Sequence, residues 1–416
     1  MNAKQYTTRT LLGILLCSAV LLLLNLFVDP LDIYRVYKKP GINAIKPKYS
    51  AYERIAKPLQ IEHNKPQWLV FGSSRILRGI PVTGFDAAIP EAQRYNAGLS
   101  GANIVVVDSL LRHALAVSDV KEIVIGLDFF MFNAYNQEPY PFHLAALGES
   151  TLARYERNAD NAIETLFSPQ MASASYYTLH HQQEKYNKYL ESGQAINQRA
   201  IENYLESGYL EPFVRFENDH LEKLWTPCAD NRFSTRNARY DTQESLRDIL
   251  QVAATYHVRV LLFFPPTHAR LMETLSAAGL WDAQQQWKAD VLRVVTRARA
   301  EYPALDVALW DASGYNQYTT EELPQQKGVA MQWWLESSHF RDTLGARMLQ
   351  AMYHNDASPY PALLLTPENI TAHLREQDLE QQRYRAAHQA QYDEIKRRAE
   401  KWLKERAQHG IDCSAW

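Results

Sequence analysis

Four short apolar runs recur along the middle of the chain: "WLVFG" at 68–72, "EIVIGLDFF" at 122–130, "VRVLLFFPP" at 258–266 and "DVALWDAS" at 306–313. They are continuous rather than alternating, so they read as strands buried on both faces. Between them, "NIVVVDSLLRHALAV" at 103–117, "TQESLRDILQVAATYH" at 242–257 and "DAQQQWKADVLRVVTRARAEY" at 282–302 carry apolar residues at helical spacing. Buried strands alternating with helices build a parallel sheet with helices on both faces, a doubly wound α/β domain.

A second feature fixes where such a domain is held. "TLLGILLCSAVLLLLNLFV" at 10–28 has no charged residue, and at about 1.5 Å per residue it covers most of a bilayer's hydrocarbon core. The run ends in Val28-Asp29-Pro30 with no small-x-small cleavage site, and Leu15 and Leu16 rather than small residues precede Cys17. It therefore reads as an uncleaved transmembrane anchor, not a signal peptide or a lipoprotein leader. Lys4 and Arg9 lie before it and Arg35, Lys38, Lys39, Lys46 and Lys48 after it, against a simple positive-inside count. A short charged N-terminus before a first apolar segment still favours a signal anchor with the large domain outside the cytoplasm. There Cys228 and Cys413 are either a disulfide or two unpaired thiols.

These landmarks divide the 416 residues into an anchor at 1–29, a juxtamembrane connector without clear periodicity at 30–65, an α/β domain at 66–360 and a C-terminal segment at 361–416. A polar, Tyr- and Gln-rich stretch at about 135–240 interrupts the alternation and reads as a mainly helical insertion, since a structureless loop that long is foreign to a compact domain. Thr366-Pro367-Glu368 offers a helix start, and the highly charged sequence to about Arg406 reads as one exposed helix. Its Leu374, Tyr384, Ile395 and Trp402 provide either a simple packing edge or a surface for a partner or membrane. The formal charge of −3 excludes a basic nucleic-acid binder. The histidines and cysteines show no zinc-like clustering and no phosphate-cradling glycine loop is present, so no metal or cofactor is expected.

In open parallel sheets ligands bind beyond the carboxyl ends of the strands. Gly72-Ser73-Ser74, Asp128, Pro265-Pro266-Thr267-His268 and Asp311 all stand at such ends. Late in the domain comes "ESSHF", with Glu336 three residues before His339. A serine hydroxyl becomes nucleophilic when an imidazole takes its proton, and a carboxylate must orient that imidazole. His268 is either a substrate-facing group and alternative base or a structural residue.

The order of these blocks resembles the SGNH, or GDSL-like, hydrolase superfamily. "FGSSR" puts Ser74 in the nucleophile's place, with Ser73 where the superfamily has aspartate; "YNAGLSGAN" at 95–103 is similar to its second block; "ESSHF" supplies His339 as base and Glu336 in place of aspartate. The resemblance spans about 270 residues. It implies a flavodoxin-like three-layer sandwich and an oxyanion site using the backbone N–H of Gly101, with Asn96, Ser73, Arg75 and His268 as further oxyanion or substrate-binding candidates. One block departs: Gly126-Leu127-Asp128 stands where Gly-x-Asn donates a second oxyanion hydrogen bond. A carboxylate accepts rather than donates, which leaves Asp128 to bind substrate, orient Arg75 or cap the next turn.

The likeness extends to membrane-anchored, extracytoplasmic members such as the D-alanine transfer protein and polysaccharide O-acetyltransferase-related proteins. It implies a single-pass protein of the bacterial inner membrane with its main domain in the periplasm. The chemistry implied is acyl-ester hydrolysis or transfer on a cell-envelope glycan, beside an integral-membrane acyltransferase. The alternative it leaves is a non-catalytic glycan-binding or assembly subunit.

Overall fold

The computed structural model describes residues 3–136, 160, 162–225, 233–237, 239–354 and 359–408. Cys228 and Cys413, and with them the question of a disulfide, lie outside the described residues. The chain divides into two compact units, one drawn from Met1–Lys65, Arg112–Ser118 and Pro141–Glu191, the other from Pro66–Leu111, Asp119–Tyr140 and Ser192–Trp416.

The larger unit holds the sheet. Its strands are β1 (Trp68–Phe71), β2 (Arg94–Asn96), β3 (Glu122–Gly126), β4 (Arg259–Phe264), β5 (Val307–Asp311) and β6 (Leu363–Leu364), in spatial order β2-β1-β3-β4-β5-β6. The first five are parallel and β6 runs antiparallel to β5, so the sheet is mixed rather than wholly parallel. Trp68 and Val70 of β1, Val124 of β3 and Leu261 and Phe263 of β4 share one core with Leu344, Met348 and Met352 of helix Asp342–His354. The alternate residues Leu69, Phe71, Ile123, Ile125, Leu262 and Phe264 are equally buried on the opposite face. There Phe264 meets Trp287 of helix Trp281–Glu301, ring centroids 4.8 Å apart. Because both faces are covered, alternation could not appear in the strands, which is why they read as continuous apolar runs. The direction of travel reverses at β1, with β2 on one side and β3 on the other, and such a reversal marks where ligands bind beyond the strand ends of an open sheet.

Two expectations are corrected. The insertion at 135–240 is not one body: its described residues from 160 to 191 belong to the smaller unit, while helices Gln198–Ser207 and Leu210–Leu224 belong to the larger. The C-terminal segment is two helices, Ile370–Ala387 and Gln389–Gln408, not one exposed helix. They dock through polar groups: Gln377 is buried beside Lys288 and Asp311, and Arg398 joins Arg270 on the buried Glu217. The connector at 30–65 includes helix Glu53–Asn64.

In the smaller unit the dominant element is helix Ala3–Val28, the one helix among the described residues long and apolar enough to cross a membrane. Its last carbonyls are capped from downstream. Lys46 Nζ donates to the carbonyls of Val28 and Asp29, and Asn43 Nδ2 to those of Phe27 and Val28, placing a cation at the negative end of the helix dipole. The carboxylate of Asp29 gathers the N–H groups of Ile33, Tyr34 and Arg35. Together with the buried Leu31, Ile33, Tyr49, Ala56 and Ile61, these side chain–backbone bonds hold the connector in mostly irregular turns, and that is why it shows no periodicity.

Candidate active site

The site stands at the C-terminal ends of β1 and β3. Gly72 leaves β1 at φ +147°, where a Cβ would lie 2.4 Å from Ile76 Cγ1; a Cβ on Gly126, at the end of β3, would lie 2.2 Å from Ile76 Cδ1. Two glycines thus let the short helix Ser74–Gly79 sit hard against the sheet. Ser73 caps that helix, its Oγ accepting from Arg75 N–H at 3.2 Å and donating to Asp128 Oδ2 at 2.5 Å. Ser74 follows, half-buried, at the first helical position.

Facing it is the 336–339 turn. His339 Nδ1–H donates to Glu336 Oε1 in a short contact, which leaves the lone pair of Nε2 to accept from the Ser74 hydroxyl at 2.8 Å. Glu336 is held in turn by the backbone N–H groups of Ser338 and His339, at 2.8 and 3.1 Å. Ser74, His339 and Glu336 therefore form one hydrogen-bonded chain with an exposed-to-buried gradient, the serine outermost. Burial holds the His339 imidazole below its ordinary pKa, against the raising effect of Glu336, so the ring rests neutral and able to accept a proton.

Arg75 ties the surrounding loops together. Its guanidinium pairs with Asp128 Oδ1, reaches the Pro266 carbonyl, and donates to Ser338 O and Thr267 Oγ1, both at 3.0 Å. The residues after β1, β3 and β4 and the 336–339 turn are thus joined through one buried side chain. Both oxygens of Asp128 are occupied, one by Arg75 and one by Ser73, so its charge is compensated and directed into the protein.

Comparison with protein-family models and with characterised proteins gives no match for this chain. The site is therefore read from its own chemistry.

Not every candidate joins it. Asn96 is a brace: Nδ2 donates to the carbonyls of Ile76 and Ile80 at 3.0 and 2.8 Å and Oδ1 accepts from Gly98 N–H at 2.9 Å, which commits the whole amide to holding the Ser74 helix. His268 is buried and caps helix Ala269–Ala277, Nδ1 accepting from Arg270 N–H and Nε2 donating to Glu321 O at 2.8 Å. Burial holds its pKa down to about 3, and with both nitrogens engaged it serves the helix start rather than a substrate. Gly101 occupies an exposed turn at φ +65°. Asp311, the last residue of β5, is saturated by Lys288, His373 and Ser313 and anchors the C-terminal helices.

Helix Leu210–Leu224 adds residues not foreseen. Phe216 sets its ring edge-to-face on His339 with centroids 5.0 Å apart, and the Phe213 carbonyl accepts from Ser337 Oγ. His220 donates from Nδ1 to Phe216 O, so its Nε2 receives the Ser338 hydroxyl at 3.3 Å. Burial also holds His220 well below the ordinary histidine pKa. Their signal was the 213, 216/217, 220/221, 224 spacing, which marks a packing face but not what it packs on.

Proposed function

We propose that the chain is a membrane-anchored serine acyl-esterase or acyltransferase of the SGNH type. The observation that carries this reading is the continuous chain from Ser74 Oγ through His339 to Glu336. In the first half-reaction Ser74 Oγ bonds to the acyl carbonyl carbon as its proton passes to His339 Nε2. Glu336 stabilises the imidazolium. His339 then gives that proton to the departing alkoxide, leaving an acyl ester on Ser74. In the second half, the oxygen of water or a sugar hydroxyl bonds to the acyl carbon as its proton passes to His339 Nε2, the bond to Ser74 Oγ breaks, and His339 returns the proton to Ser74. The backbone N–H of Ser74 serves as an oxyanion donor in this reading. Acyl esters of an extracytoplasmic envelope glycan as substrate, a periplasmic placement and an integral-membrane acyltransferase as partner follow from the SGNH resemblance.

A fluorophosphonate probe tests the nucleophile. The purified protein is expected to label, Ser73→Ala to retain labelling, and Ser74→Ala to lose it. Labelling that survives Ser74→Ala overturns the assignment, and no labelling of the wild-type chain favours a non-catalytic binding subunit.

The pH profile follows from His339. Protonation removes the base, so kcat/KM rises with pH through the His339 pKa. Because burial lowers that pKa, the acid limb is expected below the free-histidine value of about 6.5. Initial rates on a 4-nitrophenyl acyl ester across pH 4–8 check this, and a limb centred above the free-histidine value contradicts it.

A further inference from the structure

The smaller unit carries a second set of exposed apolar side chains beside its long helix. Segment Ile163–Phe167 and helix Pro169–His180 both pack against helix Ala3–Val28. On the long helix Ser18, Leu21, Leu22, Leu24, Asn25, Leu26 and Val28 are wholly or partly covered, and Ser18, Leu21, Asn25 and Val28 among them lie at three- and four-residue spacing along the seam of this packing. Asn25 pins it: its Nδ2 donates to Leu166 O at 2.9 Å and its Oδ1 accepts from Ser175 Oγ at 2.8 Å. Counted at about 1.5 Å per residue, the seam climbs about 15 Å along the helix from Val28.

The uncharged run 10–28 of this helix, at about 1.5 Å per residue, spans a hydrocarbon core with little to spare. Elements strapped to its last ten residues are then carried to the membrane boundary. Ile163 and Phe167, four residues apart, are exposed at 58% and 36%, and Tyr176 and Leu179, three apart, at 64% and 36%. The face of helix Pro169–His180 opposite them buries Met171, Ala174, Ser175 and Thr178. On the long helix they pack against, Leu23 and Phe27 are exposed as well, at 52% and 48%.

We infer that Ile163, Phe167, Tyr176 and Leu179 enter the bilayer beside the C-terminal half of the Ala3–Val28 helix, forming an interfacial wedge that fixes this unit at the membrane surface. The occupant is lipid, namely upper acyl chain and headgroup. A tyrosine with an apolar body and a polar tip suits that depth, and isoleucine, leucine and phenylalanine suit the layer beneath it. The inference rests on reading Ala3–Val28 as membrane-spanning, which the experiment tests separately.

The full chain carrying Cys17→Ser, Cys228→Ser and Cys413→Ser is given one cysteine at a time, Leu15→Cys, Phe167→Cys or Tyr176→Cys. Each variant is labelled with bimane and reconstituted in phosphatidylcholine vesicles, with or without lipids brominated near the headgroup or deep in the acyl chain. All three labels are expected to resist quenching by aqueous iodide. Phe167 and Tyr176 labels are expected to lose emission most with the headgroup-proximal bromines, and the Leu15 label with the deep ones. Quenching at Leu15 together with full iodide access at Phe167 and Tyr176 overturns the wedge alone. Absence of quenching at Leu15 overturns the spanning helix and the wedge with it. Protection at Phe167 and Tyr176 in native membranes but not in pure lipid vesicles identifies a protein as the occupant and also overturns the lipid assignment.

Discussion

Glu336→Gln is expected to lower kcat by roughly 10,000-fold, the scale seen when the acid of a serine–histidine–acid triad is made neutral, while leaving the protein folded. Three N–H groups converge on the Glu336 carboxylate: the His339 ring and backbone on Oε1 and Ser338 on Oε2. A glutamine has one accepting oxygen. With that oxygen toward the ring, its NH2 opposes the Ser338 N–H; flipped, its NH2 faces Nδ1 and favours the tautomer with hydrogen on Nε2, which cannot accept from Ser74. Both arrangements also remove the charge that stabilises the imidazolium. The loss is thus expected in kcat with little change in KM, since substrate binding does not use this carboxylate. Steady-state rates on a 4-nitrophenyl acyl ester check it, with circular dichroism to verify the fold. A variant that keeps most of its kcat overturns the triad.

The parts of this architecture that were legible share one property: their signal is local. β1, β3, β4 and β5 are dense apolar runs, and the helices beginning at Ile104, Thr242 and Trp281 have a continuous apolar face. β2 escaped because it is three residues, "RYN", whose strand character comes only from pairing with β1. β6, two exposed leucines paired with Trp310 and Asp311, escaped for the same reason. In the C-terminal helices Tyr384 and Ile395 of the expected packing edge are buried, but the break at His388 has no Pro or Gly to mark it, and apolar periodicity does not report the buried Gln377 and Gln381 of the same face. Within the site, Ser74, Glu336 and His339 stood out by residue type and spacing, and the geometry brings them together. Asn96 and His268 stood out in the same way, yet their polar atoms are taken up by backbone groups that sequence does not display. The contacts of Phe216 and His220 on the 336–339 turn are tertiary and had no local signature.

Asp128→Asn separates pattern from geometry, because the two point to opposite results. By pattern, asparagine restores the Gly-x-Asn block of the resembled superfamily and supplies an oxyanion donor. By geometry, it strips the counter-charge from a buried guanidinium. The other partners of Arg75 are neutral: the carbonyls of Ser338 and Pro266 and the hydroxyl of Thr267. Asp128 is the one carboxylate paired with Arg75 among the described residues, and breaking such a buried pair costs about 3–5 kcal/mol. The same substitution weakens the bond that fixes Ser73, and Ser73 starts the helix that presents Ser74. The expected outcome is a lower unfolding midpoint and a loss of kcat, not a gain. Adding Arg75→Met removes the stranded charge as well as its partner, so the double variant is expected to unfold at a higher temperature than Asp128→Asn alone, though still with little activity. Thermal unfolding of the wild type, Asp128→Asn and the double variant decides this. If Asp128→Asn is as stable as the wild type and faster, Asp128 is a misplaced oxyanion residue; if it is unstable and rescued by Arg75→Met, Asp128 and Arg75 are the frame on which Ser74 and His339 are aligned.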